Sequence, residues 1–321
     1  MTSTCKIPFF VTRYFNLMDA NPQHFCKDQW ALRKLINKSF ATENVYVDEQ
    51  QAINYFGLSK YLGFERIYEW EEFVLGLHLC TYWKDTGLPR WSDLFCMLGR
   101  GAGKDGAISL ESMALISPYN PIREYDVDIC ANNEDQATRP VKDLVAAFER
   151  YKAKLKKFFY WTQESIKGMK NNAFIKGHTN NAKGKDGLRS GAVIFNEYHA
   201  YENYANVNVF TTGLGKKPHP RRSIFTTNGD VVDGPLDELI KDEERFVKVI
   251  GTYKLNVRAC GTWITQVIKQ PLAIDRINIY SPGETMKVEH NSWWDGALYE
   301  LKRLYYSFII DYNSLGATDE M

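Results

Sequence analysis

The sequence predicts an α/β fold, a mostly parallel sheet flanked by helices and preceded by a small helical region. Three observations lead there. The short apolar run at residues 94–98 breaks into glycines, and a segment with helical apolar spacing follows. Residues 191–195 form a continuous apolar run, as in a strand buried on both faces. Strand-like runs then alternate with helical patterns along the chain, the arrangement that builds parallel sheets.

Taken in order, residues 28–39, 48–62 and 68–78 read as helices. In the last of these, Trp70, Phe73, Val74 and Leu77 recur at helical spacing and are expected to pack on the core. Residues 87–90 form a turn, and a strand runs from it into the glycines. Residues 104–116 read as a helix stopped before Pro118. Residues 125–131 alternate as the next strand. Asn132 and Asn133 can cap a helix from Glu134 to about Tyr151, which Pro140 is expected to kink or interrupt. Residues 172–176 are a short strand candidate, and 180–190 a glycine- and lysine-rich loop. The run 191–195 ends at Asn196 and Glu197, and a further strand at 222–229 ends in Thr226, Thr227 and Asn228. Residues 293–310 read as one amphipathic helix.

Composition narrows the classes. A chain of 321 residues has room for one large or two ordinary domains, and 44% hydrophobic with 25% charged residues is the globular range. Lys and Arg number 40 against 39 Asp and Glu, so nucleic-acid contact must come from local patches rather than global charge. Two loops offer such patches: Lys183, Lys185 and Arg189, and Lys216, Lys217, His219, Arg221 and Arg222. Solvated surface explains them equally well. Six scattered cysteines with no C-x-x-C pair read as buried free thiols in a reducing compartment. No run of about twenty apolar residues exists, so no membrane span is expected, and residues 1–15 lack a signal-peptide layout.

The chemistry concentrates at Gly99-Arg100-Gly101-Ala102-Gly103-Lys104-Asp105. Glycines let consecutive N–H groups curl around an anion, the following helix adds its positive end, and Lys104 reaches terminal phosphates. This is the layout of a P-loop, the phosphate cradle of P-loop NTPases. The match is partial: Leu98 occupies the first glycine position and Asp105 the hydroxyl position. Plain structural turns share the pattern. Ligands of parallel sheets bind beyond the carboxyl ends of the strands, where this loop, Glu197 and residues 226–228 all fall. Nucleotide hydrolysis needs a group that orients or deprotonates water. Glu197 suits that role, although a surface glutamate at a strand end would look the same. His199 reads as structural rather than metal-ligating, since no second His or Cys sits at ligand spacing.

These residues resemble the large terminase subunit, the DNA-packaging motor of tailed bacteriophages, across residues 65–235. The resemblance rests on the aromatic-rich helix 68–73, the loop with an arginine inside it, residues 129–137, Val193-Ile194-Phe195-Asn196-Glu197-Tyr198-His199, and Ile224-Phe225-Thr226-Thr227-Asn228-Gly229. It implies an ATPase using ATP and Mg²⁺. Gly99, Gly101, Ala102, Gly103 and Lys104 would hold the phosphates, Glu197 would activate water, and Arg100 would act as an arginine finger in cis. Thr226, Thr227 and Asn228 would sense the γ-phosphate, with an adenine contact near Trp70 and Glu71. Three departures stand out: Asp105 replaces the metal-binding hydroxyl, Asn196 replaces the metal-side aspartate, and Glu71 stands where glutamine is usual. Asp105 and Asn196 are therefore the expected metal-side groups.

The resemblance also implies partners: double-stranded DNA, a small terminase subunit and a portal protein on which the chain would oligomerise, all in the host cytoplasm with no membrane. The expected division is a helical region at 1–64, the ATPase domain at 65–244, and a C-terminal segment at 245–321. The family's nuclease domain has no counterpart in that segment, so nuclease activity is not expected. An inactive or truncated prophage fragment that binds nucleotide or partners without turnover is the alternative. A helicase is the further one, although helicases usually bring a second motor domain.

Overall fold

The computed structural model describes residues 5–25, 27–64, 66–99, 101–179, 189–214, 216–227, 229, 231 and 234–241. The segment 245–321, with its expected helix at 293–310, lies outside the described residues, as do Lys183 and Lys185. The helices are α1 (Phe9–Ala20), α2 (Lys27–Thr42), α3 (Glu49–Phe56), α4 (Glu69–Cys80), α5 (Lys104–Ile116), α6 (Glu134–Arg150), α7 (Lys152–Leu155), α8 (Ala205–Gly213) and α9 (Pro235–Lys241). The strands are β1 (Val45–Val47), β2 (Thr81–Trp83), β3 (Asp93–Met97), β4 (Val127–Cys130), β5 (Phe159–Trp161), β6 (Ser165–Gly168), β7 (Phe174–His178), β8 (Ala192–Asn196) and β9 (Arg221–Thr226).

Among the described residues, seven strands form one sheet in the order β3-β9-β8-β4-β7-β6-β5. The first five are parallel. The last two add on antiparallel through β7. Every residue of β4 and β8 is buried; β8 is accordingly apolar without alternation up to Asn196, whereas β4 includes Asp128, whose carboxylate accepts from Ser190 and lies 2.7 Å from His178 Nε2. β1 and β2 form a separate antiparallel pair.

The helical region ahead of the sheet shares one apolar core with it. α1 lies on α4 at Gly76, where a Cβ would come within 2.6 Å of the Phe10 ring, so only glycine permits that approach. Arg13 clamps the Glu72 carboxylate with two bonds of 2.8 and 2.9 Å. A buried polar cluster ties the next layer together. Ser223 on β9 donates to Glu111 Oε1 on α5 at 2.6 Å. His78 Nε2 on α4 lies 3.2 Å from Ser223 Oγ and 3.5 Å from Glu111 Oε1. His78 Nδ1 donates to the Trp91 carbonyl at 2.7 Å.

Several elements differ from the sequence expectation. The helix expected over 48–62 ends at Phe56, capped by Gly57, and only a 3₁₀ turn at Ser59–Tyr61 follows. The short strand expected at 172–176 lies at Phe174–His178, and β5 and β6 have no counterpart in the sequence expectation. Pro140 does not interrupt α6, which is one α-helix from Glu134 to Arg150. Proline lacks the N–H that would bond the carbonyl four residues earlier, that of Gln136. Asn196 Nδ2 donates to that carbonyl instead, at 3.2 Å. The second basic loop is largely committed to the fold. Lys217 pairs with Glu124 at 3.1 Å, Arg222 with Asp93 at 2.6 Å, and Arg221 is buried against the carbonyls of His78 and Leu79.

Candidate active site

The loop between β3 and α5 turns through two glycines with positive φ, Gly101 at 78° and Gly103 at 95°. L-residues avoid that region, so the turn selects glycine. Gly103 is also crowded, because a Cβ there would sit 3.3 Å from Glu71 Oε1 and 3.9 Å from Trp70 Cζ2. The start of α4 thus lies directly beside the loop. α5 begins at Lys104, with Asp105 in its first turn, where helix-end charge favours a carboxylate. Asp105 Oδ2 lies 3.8 Å from Arg139 Nε on α6.

At the end of β8, Glu197 leaves the sheet in the left-handed conformation, φ 53° and ψ 51°. A non-glycine residue held there costs of order 1 kcal/mol. The turn swings its carboxylate across β9, and Lys104 Nζ meets Glu197 Oε1 at 2.9 Å. His199 Nδ1 is 3.3 Å from Glu197 Oε2, 3.2 Å from Thr226 Oγ1 and 3.3 Å from Thr227 Oγ1. Thr227 Oγ1 also donates to Glu197 Oε2 at 3.4 Å. Burial works against ionising Glu197, but the His199 bond and the Lys104 cation outweigh it and hold the carboxyl down to about 2.

The structure therefore gathers Lys104, Glu197, Thr226 and Thr227 at one edge of the parallel strands, with Gly99, Gly101, Ala102 and Gly103 forming the loop before Lys104. Trp70 stands beside that loop. Arg100 and Asn228 lie outside the described residues. Two groups carry more than the sequence reading gave them. His199, read as structural, directly partners the Glu197 carboxylate. The spacing Glu197-x-His199 across a strand end was the available signal. Glu71 caps α4 by accepting from the Tyr68 N–H at 2.8 Å, and burial pushes its carboxyl up to about 7.

Asn196, the expected metal-side residue, is fully buried, and its Nδ2 is spent on the Gln136 carbonyl. Its Oδ1 has no hydrogen-bond partner among the described residues. The amide is thus explained by Pro140: an aspartate here would set a carboxylate against a bare carbonyl. We expect Asn196→Asp to cost about 1–3 kcal/mol. Adding Pro140→Ala should recover most of it by restoring the helical N–H, and urea melts of the two single variants and the double would read this coupling.

Glu71 gives a second expected result. Its folded value, about 7, lies above the unfolded value near 4.5, so the folded chain holds this proton more tightly. Its stabilising share is complete below pH 4.5, declines as pH rises to 7, and is absent above. Glu71→Gln keeps an acceptor for Tyr68 and removes the burial of charge. It should raise stability at pH 8 by at most about 3 kcal/mol and change little at pH 4.5, as read by thermal melts at both values.

A family model for the terminase large subunit, ATPase domain, matches residues 69–245. The chain belongs to that family. The match covers α4, the glycine loop, the parallel strands and the polar strand ends described above. Among solved structures, the HK97 bacteriophage large terminase is similar with a TM-score of 0.52 and 15% identity, over 64% of this chain and 43% of that one. This likeness is one of fold, a terminase ATPase architecture of the P-loop kind, and the chain spans under half the length of the HK97 protein. The ATPase domain of the Thermus phage P74-26 large terminase is similar at 14% identity with a TM-score of 0.38, over 55% of this chain and 70% of that one. No curated protein matches the chain. Membership in this family implies ATP hydrolysis as the general activity. No helix among the described residues is long and apolar enough to cross a membrane.

Proposed function

We propose that this chain is the ATPase part of a bacteriophage DNA-packaging motor, hydrolysing ATP to drive double-stranded DNA into a capsid. The observation that carries the reading is the Lys104–Glu197 pair at 2.9 Å, set beyond the ends of two parallel strands that flank β9, inside the family-matched region. Small terminase subunit and portal protein are the partners in this reading, oligomerisation occurs on the portal, and the compartment is the host cytoplasm. The family bounds of 69–245 support a division into a helical region at 1–64, the ATPase domain at 65–244 and a further segment beyond it.

The residues fit ATP with Mg²⁺. The loop offers backbone N–H groups and a lysine, and the metal-side donors are hard oxygens, the Asp105 carboxylate and the unpartnered Asn196 Oδ1. When bound, Mg²⁺ neutralises charge on the phosphate oxygens. Lys104 holds the terminal phosphates and Arg100 offsets charge on the transferring group. Glu197 takes a proton from the attacking water as its oxygen bonds to the γ-phosphorus and the bond to ADP breaks. A carboxyl held at about 2 is a weak base. Transfer of Lys104 from Glu197 to phosphate removes one of the charges holding it there, so nucleotide binding itself arms the base. Thr226, Thr227 and Asn228 then read the state of the γ-phosphate. Near Trp70, a protonated Glu71 presents one donor and one acceptor, the same pair that a glutamine amide offers an adenine edge.

The test is steady-state ATP hydrolysis by the purified chain with and without duplex DNA. Hydrolysis stimulated by DNA is expected. ATP binding with no turnover under either condition would overturn the motor reading.

A further inference from the structure

Residues 152–176 carry seven lysines and one acid, Glu164, in a chain whose net charge is +1. Lys152 pairs with Glu149 at 3.1 Å, and among the described residues the other six form no ion pair with a carboxylate. The strand register shows how some of them are displayed. Tyr160 lies opposite Lys167, and Lys167 opposite Phe174, so β5, β6 and β7 contribute one row to one face of the sheet. The alternate residues Phe159, Ile166 and Ile175 are buried in the core. On the open face Tyr160 is 61% exposed. Lys167 Nζ and Lys176 Nζ each lie 5.2 Å from the centre of the Phe174 ring. At the entry to β5, Phe158 is exposed with Lys157 Nζ 4.7 Å from its ring.

We infer that this face of β5, β6 and β7 binds single-stranded nucleic acid, its rings stacking on unpaired bases and its lysines following the phosphates. Single exposed aromatics are ordinary on protein surfaces, but rings alternating with unpaired lysines in one register serve no packing purpose. A duplex keeps its bases stacked inside, so it would use the lysines and gain nothing from the rings. Unpaired bases use both, and stacking tolerates any sequence. The inference is independent of the nucleotide site and goes beyond the motor reading.

Fluorescence anisotropy with a labelled oligothymidylate, alone and annealed to its complement, tests it on the full chain. The single strand should bind more tightly than the duplex. Tyr160→Ala should weaken that binding by about 5- to 100-fold, and Tyr160→Phe should restore it. Lys167→Glu should lower the slope of log affinity against log salt by about 0.7 for each phosphate that the lysine no longer neutralises. Neither variant should alter ATP hydrolysis measured without nucleic acid, which separates failure here from failure of the motor reading. Binding that favours the duplex, or that is indifferent to Tyr160→Ala, would overturn the inference, as would no binding or equal competition by polyglutamate.

Discussion

Glu197→Gln should hydrolyse ATP about 10²–10⁴-fold more slowly than the unaltered chain while binding ATP more tightly. The first effect follows from removing the group proposed to accept the proton of water. The second follows from the geometry. Glu197 Oε1 occupies Lys104 at 2.9 Å, so phosphate must compete with a carboxylate for the lysine. A neutral amide competes far less, although it keeps the size and the polar reach of the original side chain. Nucleotide titration beside a turnover assay reads both effects. Unchanged turnover would move the water-activating role elsewhere, Glu202 being the next carboxylate along the chain. Slower turnover with weaker binding would mean that the glutamate supports the loop rather than the reaction.

Lys104→Ala should lose about 10- to 150-fold in ATP affinity, the scale of a charge-assisted hydrogen bond removed from a phosphate site. It should also change how stability depends on pH, which separates the missing phosphate partner from a general defect. Glu197 sits at about 2, below its unfolded value near 4.5. A group depressed in this way contributes stability that is present above pH 4.5 and lost as pH falls through 2. Lys104 is one of the two partners that depress it. The variant should therefore be less stable than the parent at neutral pH, and the two melting curves should converge on acidification through that window. A pH-independent difference would place the defect elsewhere.

Much of the sheet is legible in the sequence because burial on both faces leaves an unmistakable apolar run. Residues 191–195 announce β8, and glycines on one side with Pro118 on the other frame α5 at Lys104–Ile116. The hairpin β5–β6 is not legible. Its strands are three and four residues long, and their alternation is written in lysines and aromatics whose polar partners come from one open face. Pro140 misleads for a related reason. A helix interrupted locally can be completed from a distance, and the Asn196 side chain that completes it lies 60 residues beyond Gln136 in sequence. The same holds for the site. Lys104 and Glu197 are identifiable by position along their strands, but the His199 contact depends on a left-handed turn that residue types alone do not dictate, since glutamate rarely adopts it.

The Ser223–Glu111–His78 cluster has a mechanical meaning. It fastens the helix that begins at the glycine loop to the strand that ends at Thr226, through side chains with no more than 1% exposure and a hydrogen bond of 2.6 Å. Parting these elements would take the Ser223 hydroxyl away from the fully buried Glu111 carboxyl and leave that hydrogen bond unmade, a cost of about 1–3 kcal/mol. The cheaper response to a push from the nucleotide is for α5 and β9 to travel together. A displacement at Lys104 is then expected to carry through to Thr226 and Thr227, as through a connecting rod, and what gives way lies farther out.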